Sequence, residues 1–209
     1  MGVPVKPLSA GLLAAWLRHF AAAVTAAEPL LTDLDRRIGD ADHGLNLNRG
    51  LAAVAALDPD ACASARDYAN RAAMALVSGV GGAAGPLYGT FLLRLARALP
   101  PDGAITAAEW SAALRAGVAG LVERGRAEPG DKTMLDALVP ALDAFDAAPA
   151  GTDPFAAAAA AAAAGRDATV DLVARKGRAS YLGERSRGIA DPGATSAALL
   201  VASAAATLS

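Results

Sequence analysis

The stretch Leu31 to Gly50, LTDLDRRIGDADHGLNLNRG, holds the residues best suited to chemistry: Asp35, Asp40 and Asp42, beside His43 and between Gly39 and Gly44. On an unbroken helix, at about 100° per residue, Asp35 and Asp42 share a face and Asp40 points elsewhere. The three carboxylates converge only if the chain turns. Gly39 and Gly44 are expected to permit that turn through positive φ and close backbone approach. The spacing therefore predicts a helix, a carboxylate loop, and a second helix starting near Gly44.

Clustered carboxylates repel one another, so such a loop calls for a cation. Oxygen donors without thiolate favour Mg²⁺, Ca²⁺ or Mn²⁺ over zinc. A calcium EF-hand counted from Asp40 fails, because Leu45 and Leu51 stand where glycine and glutamate are needed. Three carboxylates suit Mg²⁺, which keeps waters and is commonly shared with substrate phosphates. The helix start around Gly44 to Asn46 would add N–H groups and a positive dipole end for those phosphates. The competing reading is a solvated acidic turn in which Asp40 or Asp42 caps a helix.

The elements that must position this loop are helical. The 209 residues fit one domain, residues 1–209, with 54% hydrophobic residues but only 4% aromatic. Alanine supplies much of that apolar content, as closely packed helices require. A formal charge of −2 gives no whole-domain attraction to nucleic acid or to an anionic membrane. One cysteine, Cys62, excludes an internal disulfide and a cysteine-rich zinc site. The apolar start Leu12 to Leu17 runs into Arg18 and His19, unlike a signal peptide, and Pro192 to Ser209 reads as a packed helix. A cytoplasmic protein is expected.

Along the chain, Ser9 caps a first helix carrying Leu12, Leu13, Trp16, Leu17, Phe20 and Val24 at helical spacing, with His19 structural. Asp58-Pro59-Asp60 is expected to start a helix running through Met74 and Leu76. Leu87 to Leu99 and a helix capped by Thr106 follow. Leu135 to Phe145 is the next. The nine alanines from Ala156 to Ala164 form the middle of a helix expected to run towards Val173.

Three further stretches could join the carboxylate loop. Ser78 to Gly89, SGVGGAAGPLYG, is glycine-rich and ends in a helix start at Pro86. It fits neither a Walker A loop nor G-x-G-x-x-G, and reads as a phosphate cradle or as a close helix crossing. RGRAEPGDKTM, Arg124 to Met134, is a polar connection. Ala174 to Gly193 carries Arg175, Lys176, Arg178, Arg185 and Arg187, five cations in thirteen residues, as an anion site, a docking patch or a solvated loop. All are separated by helices, and alternate connections of antiparallel helices lie at the same end of a bundle.

Four motifs resemble one family: DRRIGDADHG at Asp35 to Gly44, GGAAGPLYG at Gly81 to Gly89, GDKTMLDAL at Gly130 to Leu138, and KGRASYLGERSRGIADPGATS at Lys176 to Ser196. They are similar, in order and over nearly the whole chain, to motifs of the nucleotide-binding L subunit of dihydroxyacetone kinases. The resemblance implies an all-α antiparallel barrel of about eight helices with the nucleotide at one end. It implies ADP or ATP as cofactor and two Mg²⁺ held by Asp35, Asp40 and Asp42. Nucleotide contacts are implied for His43, Gly44, Leu45, Asn46, Ala83, Ala84, Gly125, Thr133, Met134, Arg178, Asp191, Pro192 and Gly193. No covalent nucleophile is expected. One departure stands out, since Ala84 replaces the family's usual Ser, whose hydroxyl would contact a phosphate.

The implied partners are a K subunit carrying dihydroxyacetone and a phosphohistidine carrier, fed by phosphoenolpyruvate, that recharges bound ADP. A free-standing L subunit in a homodimer or hetero-oligomer is expected. Two alternatives stay open: the nucleotide subunit of a directly ATP-dependent kinase for this or another small keto-sugar, and a nucleotide-sensing partner of a transcription regulator.

Overall fold

The computed structural model describes residues 6–79 and 81–209; position 80, inside the glycine-rich stretch, lies outside them. The described residues fold into eight α-helices: α1 Ala10–Ile38, α2 His43–Ala55, α3 Ala65–Gly79, α4 Ala84–Ala98, α5 Ala107–Gly125, α6 Leu135–Ala147, α7 Pro154–Ala168 and α8 Pro192–Leu208. Each helix packs on its neighbour in sequence, and α8 returns onto α1, so the ring closes. Neighbours pack side by side and run antiparallel, through connections that are shortest at α1–α2 and α3–α4 and longest at α7–α8. The connections α1–α2, α3–α4, α5–α6 and α7–α8 therefore fall at one end. The opposite end is tied by the Leu8–Gly103 backbone bridge and by Lys6 Nζ donating to the Thr207 carbonyl.

The interior is filled by Trp16, Phe20, Tyr68, Phe91, Trp110 and Phe155, each almost fully buried, set among alanines of every helix. Trp110 meets Phe155 edge-on at 5.9 Å, and Phe145 meets it at 5.0 Å, in the arrangement ring quadrupoles favour. Small residues bring helices together elsewhere. A Cβ on Gly165 would lie 2.1 Å from the Asp136 carbonyl oxygen, so α7 rests directly on the α6 backbone. α1 is long and apolar enough to cross a membrane by composition, and half of that window is buried inside the ring, which accounts for its apolar character.

Helix ends follow local chemistry. Ser9 Oγ accepts from Leu12 N at 3.1 Å, and Thr106 with Glu109 forms a reciprocal capping box. Three boundaries differ from expectation. After Asp58 only a 3-10 turn, Pro59–Ala61, forms. α3 starts at Ala65, where the Asp102 carboxylate from the α4–α5 connection takes the Ala65 N–H at 2.9 Å. α4 begins at Ala84, three residues before Leu87, because Pro86 lies within its first turn. α7 stops at Ala168 and passes into a 3-10 turn, Thr169–Asp171, with Thr169 Oγ1 donating to the Arg166 carbonyl.

Candidate functional site

The carboxylate loop is built by Asp35 reaching forward from the last turn of α1. Its Oδ2 accepts from the backbone N–H of Asp42 at 2.8 Å and of His43 at 3.0 Å, capping α2 with a carboxylate from the preceding helix. Asp42 occupies the N-cap position without a side-chain capping bond. The turn's positive φ falls on Ala41, at 65°, and not on the glycines. Gly39 and Gly44 are needed for close approach instead. A Cβ on Gly39 would lie 2.0 Å from Asp35 Oδ1, and one on Gly44 would lie 2.6 Å from the Glu28 carbonyl oxygen.

One oxygen from each of Asp35, Asp40 and Asp42 lies within 4.8 Å of the others. Burial, reinforced by the negative charges of Asp40 and Asp35, raises the Asp42 carboxyl above its usual range. Arg178 counters this, with Nη2 3.0 Å from Asp40 Oδ2. Hard oxygen donors gathered at this range, with only one exposed guanidinium to balance them, suit a divalent cation such as Mg²⁺.

The carboxylates form one wall of an open cleft. All four connections at this end contribute to it. Gly81, Gly82, Ala83 and Ala84 come from α3–α4; Lys132, Thr133 and Met134 from α5–α6; Lys176, Gly177, Arg178, Asp191, Pro192 and Gly193 from α7–α8. Gly82, at φ 66°, brings its backbone against the Asp42 carboxylate. Neither α2 nor α4 has a side-chain cap from its own N-cap residue, and α4 starts on this cleft with Ala84 and Gly85.

Behind Ala83 and Met134 the cleft continues into an apolar groove lined by Pro86, Leu87, Leu121, Ala127 and Leu135, with Gly125 at its edge. Of the residues proposed from sequence, Gly44, Leu45 and Asn46 do not line the cleft. Leu45 is 57% exposed, so a contact from it would come through its backbone N–H in the first turn of α2. Asn46 is buried, packed against Gly81 and accepting from Arg49 at 2.9 Å.

Two buried charges that were not singled out in the sequence brace the loops. Asp136 Oδ2 accepts from Thr133 N at 2.7 Å, holding the turn before α6. Lys132, at φ 63° and 1% exposed, donates to the Ser186 carbonyl at 2.6 Å and the Leu172 carbonyl at 3.0 Å, stapling α5–α6 to α7–α8. Burial lowers its ammonium pKa. Asp191 Oδ2 caps α8 at Ala194 N, 2.7 Å, and burial pushes its carboxyl up to about 7. Lys132 and Asp136 both lie inside the GDKTMLDAL motif, whose charged members gave no spacing signal of their own, whereas Asp191 was implied by the resemblance.

The DAK2 domain matches residues 37–206. The chain belongs to that family. It is 44% identical over 186 residues to the PEP-dependent dihydroxyacetone kinase, ADP-binding subunit DhaL, of Escherichia coli, covering 87% of this chain and 89% of that protein. Against the corresponding subunit of kinase 1 from Listeria innocua it is 42% identical, covering 88% and 90%. The dihydroxyacetone kinase of C. freundii in complex with AMP-PNP and Mg²⁺ superposes with a TM-score of 0.71 at 25% identity. That match covers 96% of this chain and 34% of the kinase, so the chain spans about a third of the solved enzyme. The all-α barrel is thereby the fold of a known kinase domain.

Proposed function

We propose that this chain is the nucleotide-binding subunit of a dihydroxyacetone kinase, in which ADP is retained as a coenzyme. A phosphohistidine carrier of a phosphoenolpyruvate-dependent system recharges it to ATP, and the γ-phosphoryl passes to dihydroxyacetone on a separate K subunit. The observation that carries this reading is the convergence of the carboxylate triad, the start of α4 and an apolar groove in one cleft, in a chain 44% identical to an ADP-binding subunit. Residues 1–209 act as one such domain, in the cytoplasm, without nucleic acid or membrane as partner.

The division of labour follows from chemistry. Asp35, Asp40 and Asp42 hold the metal, read as two Mg²⁺, and the ions supply charge neutralisation for a phosphoryl group in transit. Backbone N–H groups at the starts of α2 and α4 receive phosphate oxygens. Thr133 and Met134 lie where the polar cleft meets the apolar groove, with Gly125 at the groove's far edge, which suits the ribose and base. Arg178 must leave Asp40 as a cation arrives, which frees its guanidinium for phosphate. No side-chain nucleophile is required, because positioning and electrostatics dominate phosphoryl transfer.

The test is to purify the protein without added nucleotide, desalt it in Mg²⁺, denature it and quantify released ADP and ATP. Near one ADP per chain is expected. An empty protein that binds ATP weakly and exchangeably would instead mark a directly ATP-dependent kinase.

A further inference from the structure

Beneath the metal triad three helix starts meet at a single hydroxyl. Ser196, in the first turn of α8 and fully buried, lies 2.7 Å from the Tyr88 hydroxyl of α4 and 3.0 Å from His43 Nε2 of α2. Its Oγ also donates to the Gly193 carbonyl at 3.1 Å. A serine hydroxyl has one hydrogen and two lone pairs. A carbonyl only accepts, so making all three contacts assigns the Ser196 hydrogen to Gly193. Tyr88 O–H and His43 Nε2–H must then both donate to Ser196. Any other assignment leaves one contact unmade.

This fixes what His43 offers to the cleft. In the neutral ring, the single proton is then on Nε2 and Nδ1 carries a bare lone pair. That atom has no hydrogen-bond partner among the described residues, on a side chain that lines the cleft beside Asp42. A phosphate oxygen, itself an acceptor, cannot pair with it. Water held on a divalent cation can, because Mg²⁺ keeps part of its hydration shell when bound by few carboxylates.

We propose that Ser196 is a positioning residue: oriented by Tyr88, it locks His43 as the Nε2–H tautomer, so that Nδ1 accepts a hydrogen bond from water on the cation held by the three aspartates. This rests on reading the cleft as a magnesium–nucleotide site.

The chain has two histidines, and the second serves as an internal reference. His19 Nδ1 lies 3.0 Å from Ser203 Oγ, whose hydrogen goes to the Leu199 carbonyl at 2.8 Å, so His19 carries its proton on Nδ1. Ring-nitrogen NMR of the ¹⁵N-labelled protein at pH 8 should show opposite tautomers for the two rings, with an exchange-protected Nε2–H on His43. Ser196→Ala should expose that proton to exchange and Tyr88→Phe should retain it. Calorimetric titration should show Mg·ADP binding about fivefold weaker in Ser196→Ala, the loss of roughly one hydrogen bond, with ADP binding in EDTA unchanged. A role confined to packing would weaken both titrations alike and leave the tautomer in place, which would overturn the proposal. So would a proton found on Nδ1 of His43 in the unmodified protein, a measurement that requires no variant. Unmodified protein that fails to bind Mg·ADP would instead overturn the reading of the cleft on which the relay depends.

Discussion

At the scale of the residue, the acidic triad divides into unequal roles. In the proposed metal site Asp35 is committed twice, as an oxygen donor and as acceptor for the N–H groups of Asp42 and His43 at the start of α2. Asp40 and Asp42 make no backbone bond of that kind, so replacing either with Asn removes metal charge while α1 and α2 keep their junction. Asp40→Asn or Asp42→Asn is expected to abolish Mg²⁺-dependent nucleotide binding and transfer with an unchanged far-UV spectrum; full activity in either would sink the metal assignment. Ala84 is a second informative position. It opens α4 on the cleft, is 8% exposed and presents only a methyl where the resemblance implies a serine. Ala84→Ser adds one hydrogen bond to phosphate, worth roughly 1 kcal/mol, and should slow nucleotide release about fivefold in stopped-flow chase. An unchanged or faster off-rate would contradict this account of the loop.

At the scale of the element, caps set where the helices begin, and one of them titrates. The Asp191 carboxyl, pushed up to about 7 by burial, has an unfolded value near 3.9. A carboxyl whose folded pKa is raised stabilises the fold fully below the unfolded value, and that contribution is lost as pH rises towards the folded one. Asn at the same place titrates nowhere, and its carbonyl oxygen keeps the bond from Ala194 N. In EDTA and without nucleotide, the unfolding free energy of Asp191→Asn, measured by denaturant titration, should therefore gain on the parent between about pH 4 and 7, by at most ~1.4 kcal/mol per pH unit, then level off. A difference independent of pH would refute the shift. The same caps explain what was legible in sequence. Ser9 and Thr106 act on their own helices and were readable from spacing. Ala65 is bonded by Asp102, a residue 37 positions away, so the break between Pro59–Ala61 and α3 had no local sign. The turn at Ala41 escaped for a related reason: glycine was expected to take the positive φ, whereas both glycines answer to packing against Asp35 and the Glu28 carbonyl.

At the scale of the molecule, the site exists because an even number of antiparallel helices closes into a ring. The periodicity of the helices and the separation of four polar stretches by pairs of helices made that closure readable, including the end at which the stretches meet. Lys132, Asp136, Tyr88 and Ser196 were not readable, because each matters through a partner brought near only by closure. Such a site has a dynamic signature. Its loops are braced mainly by buried polar groups: Lys132 across α5–α6 and α7–α8, Asp136 within the former, Ser196 across α2, α4 and α8. A ligand that fills the shared cleft should stabilise these loops as one unit, since none can open without disturbing another. Hydrogen exchange with and without Mg·ADP should accordingly show protection rising together in residues 39–46, 81–88, 130–136 and 174–196. Residues 99–106 and 148–153, at the far end of the barrel, should be unaffected. Protection confined to the carboxylate loop would mean that the cation is bound without the four-loop cleft closing around a nucleotide.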